Sequence, residues 1–428
     1  MTEGRRILHI DMNAFYASCH AAEEPDKYAG RPTAVAGSPE TRHGIIVTAS
    51  YEARAKGVET TMTVMQAKRI CPDLLFIQPD FALYRTYARK VFDIVGQFTP
   101  LVEVVSIDEC YADVTGSRLF GTGIEIAKAI QKTIRDELRL PCSIGVADCK
   151  FFAKMGSNLK KPMGISIVDK SNFREILWPM NVSDMHGVGE KTAAKLHSLG
   201  IRTIRQLAEG NDRTIERAFG LRGLELKAYA NGRDDRPVTA ERAPAKSIGH
   251  SITLPQDAKS FEALQRVLLN LADQVGRRTR KHGVVGRVLT LTIRYANLET
   301  FTRRITLPVH TDLTEHIYQT AQSLLQSNWR EGHAIRLVGI TLSEFQQKNP
   351  TSSMSVQTSL FNAPEEEAKF TLTKRLEKLT AVTDALRNRF GEDIVVRGRM
   401  LQPDDSNALR NHRSRGTSLQ TDQLYDKE

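Results

Sequence analysis

Acidic residues stand where apolar strands should be. The run Arg5 to Asp11 alternates and is rich in Ile and Leu, which predicts a buried strand ending at Asp11. A second strand pattern, Val102 to Val114, carries Ser106-Ile107-Asp108-Glu109 near its middle. A buried carboxylate is costly unless a cation or metal balances it. The two patterns therefore predict adjacent strands whose acids converge on shared positive charge. Strand patterns at Ser143 to Val146 and Gly164 to Val168 alternate with helical ones at Tyr84 to Gln97 and Gly123 to Leu138, which gives an α/β unit. Hard oxygen ligands from two strands suit Mg²⁺ or Mn²⁺. A pair of such ions can activate an attacking hydroxyl and stabilise a leaving oxygen in phosphoryl transfer. Any one of the acids alone would more simply be a solvated strand end.

Between roughly Phe173 and Ala240 the pattern turns all-helical. Met185-His186-Gly187-Val188-Gly189-Glu190-Lys191 precedes an amphipathic helix, Thr192 to Leu199, with Gly200-Ile201 at its exit. This spacing predicts a helix-hairpin-helix, in which Gly187, Gly189 and Lys191 offer backbone N–H groups and charge to a DNA phosphate. The alternative is an ordinary helical packing unit. Arg236 to Lys246 is polar and carries prolines, which predicts a linker. Beyond it the periodicity reads strand (Ser247 to Leu254), helix (Ser260 to Lys281), strand (Gly286 to Tyr295), strand (Glu299 to Leu307), helix (Asp312 to Asn328) and strand (Ile335 to Glu344), a βαββαβ order. After Gln347 the chain is polar, then a helical segment runs from Leu372 to Arg389.

Lys and Arg total 60 against 50 Asp and Glu, a net charge of +10, which favours a polyanionic partner. Arg277-Arg278-Thr279-Arg280-Lys281 concentrates that charge at the end of a helix, and Arg287, Arg294, Arg303 and Arg304 spread it over strands. DNA is the expected ligand of these residues, with Arg277, Arg278, Arg280, Lys281, Arg303 and Arg304 as candidate contacts. The other reading is a solvated face. No apolar run approaches the roughly 18–20 residues of a membrane span, and no signal-peptide core follows Met1, so a cytoplasmic protein is expected. The 5 cysteines form no CxxC pair, which disfavours both a disulfide framework and a structural zinc site.

Ile10-Asp11-Met12-Asn13-Ala14-Phe15-Tyr16-Ala17-Ser18 resembles the first motif of the Y-family, lesion-bypass DNA polymerases. Ser106-Ile107-Asp108-Glu109-Cys110-Tyr111-Ala112-Asp113-Val114 resembles their Ser-Ile-Asp-Glu signature, and similarity runs to about residue 348 through Ala49-Ser50-Tyr51-Glu52-Ala53-Arg54 and Lys160-Lys161-Pro162-Met163-Gly164. The resemblance implies a low-fidelity, template-directed DNA polymerase that uses two Mg²⁺ ions, with Mn²⁺ as a substitute. Asp11 and Asp108 would bind both metals, Glu109 the one at the primer 3′ hydroxyl, and Met12 would lend its carbonyl. Tyr16 would be the steric gate against a ribose 2′ hydroxyl, and Tyr51, Arg54 and Lys161 would hold the triphosphate of a dNTP. Asn13 stands where many relatives have aspartate, Cys110 and Ala112 where alanine and leucine are usual, and Met163 where asparagine is frequent; none of these removes a metal ligand.

The implied fold is a multidomain α/β and α+β right hand. A palm would take residues 1–16 and 81–172, small fingers 17–80, a helix-hairpin-helix thumb 173–240, a linker 241–246, a little finger 247–348, and a tail 349–428. Gln357-Thr358-Ser359-Leu360-Phe361 resembles the bacterial sliding-clamp-binding peptide, with Gln357, Leu360 and Phe361 as anchors. The implied partners are primer-template DNA, dNTPs and the clamp. A monomer is expected, working in the cytoplasm at the nucleoid. Two other readings remain from the residues alone: a polymerase-like adaptor without catalysis, and a different two-metal palm enzyme such as a nucleotide cyclase.

Overall fold

Alternation along β1 (Ile7–Met12) organises the first sheet, with Ile7, Leu8 and Ile10 buried. The computed structural model describes residues 4–37, 44–241, 243–330, 332–348, 363–392 and 394–400. Contacts divide the chain at residues 242 and 243 into two units.

In the first unit β1 is followed by α1 (Phe15–Glu23), α2 (Pro25–Tyr28), β2 (Thr33–Ala36), β3 (Ile46–Ala49), α3 (Tyr51–Ala55) and α4 (Val64–Ile70). Then come β4 (Leu75–Ile77), α5 (Phe81–Gly96), β5 (Val102–Val104), β6 (Glu109–Asp113), α6 (Gly123–Leu138), β7 (Cys142–Ala147), α7 (Lys150–Leu159) and β8 (Ile165–Val168). The helical stretch holds α8 (Phe173–Ile176), α9 (Glu190–Ser198), α10 (Ile204–Glu209), α11 (Asp212–Phe219) and α12 (Leu221–Ala230).

Five strands form the main sheet in the order β5-β6-β1-β7-β8. β1 is antiparallel to both neighbours, and β7 runs parallel to β8. Side chains alternate between faces along a strand. Leu8 and Ile10 accordingly join α5 and α6 in one core, while Ile7 joins Phe151 and Phe152 of α7 in another. His9 and Asp11 share the face of Ile7, so they point toward α7. That helix lies close because Gly145 of β7 has no side chain: a Cβ there would stand 1.9 Å from the Ala153 carbonyl oxygen. On its far side Phe151 stacks on Tyr229 at 5.3 Å and Phe152 on Phe173 at 5.0 Å, so α7 and the helical stretch share one core. A small second sheet, β3-β2-β4, packs on Ala53, Val58, Ala67 and Leu74.

The single strand expected over Val102 to Val114 is a hairpin of two, β5 and β6, paired antiparallel. The Ser106 hydroxyl donates to Asp108 Oδ1 at 2.6 Å, and the N–H groups of Val105 and Ser106 both donate to the Glu109 carbonyl, closing a tight turn. Asp108 therefore sits in the turn and Glu109 opens β6. The expected linker is likewise anchored over its first residues. Arg236 makes two bonds, 2.7 and 2.9 Å, to Asp234, which also accepts the Phe151 N–H, and the Thr239 N–H donates to Glu103 at 2.9 Å. All five cysteines are buried. Burial raises every thiol, Cys142 and Cys149 to about 12, with Cys19, Cys71 and Cys110 shifted the same way.

The second unit has the βαββαβ order read from the sequence: β9 (Ser247–Ala258), α13 (Phe261–Lys281), β10 (Val284–Tyr295), β11 (Thr300–Thr311), α14 (Thr314–Asn328) and β12 (Ile335–Gln347). Its sheet order is β11-β10-β12-β9, antiparallel throughout. Leu289, Leu291 and Ile293 with Val338, Ile340 and Leu342 build the core beneath the helices. The alternate residues, Thr290, Thr292, Thr341 and Ser343, belong to the opposite, open face. α15 (Ala363–Phe390) extends the helix expected over Leu372 to Arg389 and docks on α13 largely through charge. Arg387 meets Asp273 at 2.9 Å with both buried, and Arg277 and Arg280 reach Asp384 at 3.0 and 2.6 Å.

Candidate active site

Strand register assembles the site. Asp11 pairs with Glu109 and His9 with Tyr111 across β1 and β6, so all four side chains share the α7 face. Ligand atoms of His9, Asp11 and Glu109 lie within 4.8 Å of one another. Lys154 of α7 reaches into this group, donating to Asp11 Oδ2 at 3.0 Å and to Glu109 at closer range. Lys161, just beyond α7, pairs with the other oxygen of Asp11. Lys154 is only 13% exposed, and its ammonium is held: burial works against the charge, but Asp11 and Glu109 overcome it and raise its pKa. Burial alone would raise the Glu109 carboxyl; the His9 and Lys154 contacts instead bring it down to about 2. Asp108 differs, because burial dominates and its pKa is raised despite the Ser106 bond. Its carbonyl accepts the Met12 N–H at 3.0 Å, which fixes the turn against β1.

The sequence identified Asp11, Asp108 and Glu109 but missed His9 and Lys154. His9 was legible as the residue two before Asp11, on the same face of a strand. Lys154 gave no comparable signal, since a lysine in an amphipathic helix is ordinarily solvated. The donor set of carboxylate oxygens, already gathering two ammonium groups, suits a hard divalent cation.

Around this centre, Asn13 is buried and its Oδ1 accepts from Ser143 Oγ at 3.1 Å and from the Met163 N–H at 2.8 Å, which secures the loop that presents Lys161. Met163 has φ 60°, a left-handed conformation that asparagine adopts more easily. Tyr16 lies in the first turn of α1, 7% exposed, stacked on Tyr84 at 4.1 Å and edge-on to Phe81 at 5.9 Å. Tyr84 shares a hydrogen bond with His20 at 2.9 Å. Tyr51 and Arg54 sit on α3, whose N-terminus Ser50 caps by accepting the Ala53 N–H. Arg54 donates to the Ala49 carbonyl at 2.9 Å and lies 5.0 Å over the Tyr51 ring.

The helical stretch presents Gly187, Gly189 and Lys191 on its surface. Gly187 has φ 90°, and a Cβ there would stand 2.6 Å from the Arg222 guanidinium; Gly189 is the N-cap of α9. In the second unit the basic candidates separate. Arg277 and Arg280 are bound by acids of the docked segment, Asp384 and Glu392 for the first and Asp384 for the second. Arg278 donates to the Gly249 carbonyl at 3.0 Å, and Lys281 is exposed at the helix end. Arg303 and Arg304 are exposed on β11. Arg303 pairs with core-facing Leu291 and reaches Asn328 of α14, whereas Arg304 pairs with Thr290 of the open face. Gln357, Leu360 and Phe361 lie outside the described residues.

Comparison with known proteins agrees across the chain. Residues 10–158 match the impB/mucB/samB family, 245–360 its C-terminal domain, and 170–201 the helix-hairpin-helix motif of the same family. The chain is 41% identical to DNA polymerase IV 1 of Bacillus subtilis over 427 residues, covering 100% of this chain and 99% of that protein. It is 39% identical to DNA polymerase IV of Clostridium kluyveri over 400 residues, covering 93% and 98%. Among solved structures, a Y-family DNA polymerase chimera of Dbh and Dpo4 matches with TM-score 0.71 and 24% identity over 79% of this chain and 98% of that one, a likeness of fold. With its acids, helical hairpin and βαββαβ unit all accounted for by one set of relatives, this chain belongs to the Y-family (impB/mucB/samB) DNA polymerases.

Proposed function

We propose that the chain is a metal-dependent, template-directed DNA polymerase that performs translesion synthesis, transferring nucleotides from dNTPs to a primer 3′ hydroxyl. The observation that carries this reading is the convergence of Asp11 and Glu109 on one face, with Asp108 in the β5–β6 turn immediately before Glu109. The chain has a right-hand fold. We assign its palm to residues 1–16 and 81–172, fingers to 17–80, thumb to 173–240 and little finger to 247–348.

Asp11, Asp108, Glu109 and the Met12 carbonyl would hold two Mg²⁺ ions, with Mn²⁺ as a substitute. When bound, the ions supply activation of the primer hydroxyl and charge stabilisation at the leaving oxygen. Arg54 and Lys161 add fixed positive charge for the triphosphate, and Tyr51 donates a hydrogen bond to it. Tyr16 excludes a ribose 2′ hydroxyl by bulk; its stacking on Tyr84 keeps the ring from yielding. The Gly187-Val188-Gly189 turn offers N–H groups to a phosphate beside Lys191. In the little finger, Arg304 and the Thr/Ser rows of the open face are better placed for a DNA backbone than Arg277 and Arg280, which acids already hold. Gln357, Leu360 and Phe361 form the sliding-clamp peptide of a monomeric enzyme working in the cytoplasm at the nucleoid.

Primer extension on a primed template with Mg²⁺ and four dNTPs tests the reading. Wild type extends in a template-directed way, and Asp108→Ala reduces extension by at least about a hundredfold, the loss of roughly 3 kcal/mol of transition-state stabilisation. Tight binding of primed DNA with no extension by wild type would make the chain a non-catalytic adaptor.

A further inference from the structure

We propose that His9 is a positioning residue for Glu109, aiming that carboxylate at the cation site while Ser157 fixes the ring. The inference rests on the cation-binding reading of Asp11, Asp108 and Glu109.

His9 is 0% exposed. One ring edge meets Ser157, with Nδ1 2.8 Å from the hydroxyl oxygen, and the ring stands edge-on to Tyr111 at 4.7 Å. Across β7 it faces Gly145, the residue that lets α7 approach. Its other nitrogen, Nε2, is buried with no hydrogen-bond partner and lies 3.4 Å from Glu109 Oε2. A buried orphan nitrogen is expensive, and one small turn of the carboxylate would satisfy it.

The proton inventory is consistent. Ser157 Oγ is within reach of both His9 Nδ1 and, at 2.9 Å, the Lys154 carbonyl. The hydroxyl donates to that carbonyl; rotated onto Nδ1 instead, it leaves a neutral ring whose own proton sits on Nε2, facing Glu109. The ring thus fixes one carboxylate oxygen and leaves the other free for a cation. A hydrogen bond from behind is how proteins commonly orient a ligating carboxylate. His9 itself is a poor ligand for Mg²⁺, which favours oxygen. It also sits on the strand behind the carboxylate, closed off from solvent.

Two amide substitutions separate the ring's two edges. The amide of His9→Gln reaches the Nε2 position and keeps the donor to Glu109. That of His9→Asn reaches only the Nδ1 position and serves Ser157 alone. Binding of Mn²⁺ to the full chain, read from the electron paramagnetic resonance of free Mn²⁺ without DNA or nucleotide, is compared with thermal unfolding of the same samples. We expect His9→Asn to weaken Mn²⁺ binding on the order of tenfold and His9→Gln to restore most of it, without a matching order in unfolding temperature. Wild-type affinity in His9→Asn would overturn the proposal, as would equal loss in both variants, which marks a direct ligand or plain packing. Should His9→Asn fail to fold, Ser157→Ala frees the ring and should weaken binding by a smaller factor; no change there would likewise overturn it. A wild type that binds no more Mn²⁺ than Asp11→Ala would instead remove the cation reading on which the proposal stands.

Discussion

Tyr16 is restrained on two sides, by Tyr84 in a 4.1 Å stack and by Phe81 at its edge, so its ring presents a fixed wall rather than a mobile side chain. Tyr16→Ala should therefore admit ribonucleotides while deoxynucleotide addition persists. Single-nucleotide insertion with dNTP and rNTP pairs measures this, and sugar selection equal to wild type would clear Tyr16 of the role. At this scale the sequence was informative wherever a residue type conflicted with its surroundings. Asp11 and Glu109 were conspicuous because acids interrupted apolar strands. His9 conflicts far less with a buried strand, and its significance comes from β-sheet register, which pairs it with Tyr111 beside Glu109. Lys154 becomes notable only when α7 is seen to lie over β1.

At the scale of elements, β7 and α7 depend on a missing side chain. Gly145→Ala would press a methyl group against the Ala153 carbonyl, and overpacking of this kind costs about 1–3 kcal/mol, occasionally more. A lower urea midpoint and reduced extension should follow together, since α7 carries Lys154; an unchanged midpoint would show that the helix can withdraw freely. α15 rests on α13 by a different means. Burial works against the Asp384 carboxylate, but Arg280 and Arg277 overcome it and lower its pKa below 3.8. A depressed carboxylate contributes stability above its unfolded pKa and loses it as pH falls through the lower folded value. Hydrogen exchange should thus show α15 well protected at pH 7 and loosened below about pH 4; equal protection at both would mean that apolar contacts hold the helix. Within the basic cluster Arg277 to Lys281, the acids that hold Arg277 and Arg280 lie far down the chain, and local pattern carries no record of such pairings. The Ser106 turn was hidden for a related reason: apolar residues flank it on both sides, and only its hydrogen bonds distinguish a hairpin from a long strand.

For the whole molecule, order of elements was the most legible property. Periodicity alone gave the βαββαβ unit and the helical stretch before it, because each rests on local side-chain spacing. The clamp peptide remains a reading of sequence, and its test involves the full chain. Replacing Leu360 and Phe361 with alanine should abolish binding to a bacterial sliding clamp while leaving distributive extension near wild type. Clamp affinity that survives the change would dismiss the peptide. The five buried thiols bear on handling as well as on structure. Only a thiolate reacts readily with peroxides or maleimides, and here every thiol is both covered and kept protonated. The enzyme should pass through oxidative conditions that damage DNA with its own thiols untouched. A single cysteine introduced on the surface would take a fluorophore by itself, with all native residues left in place.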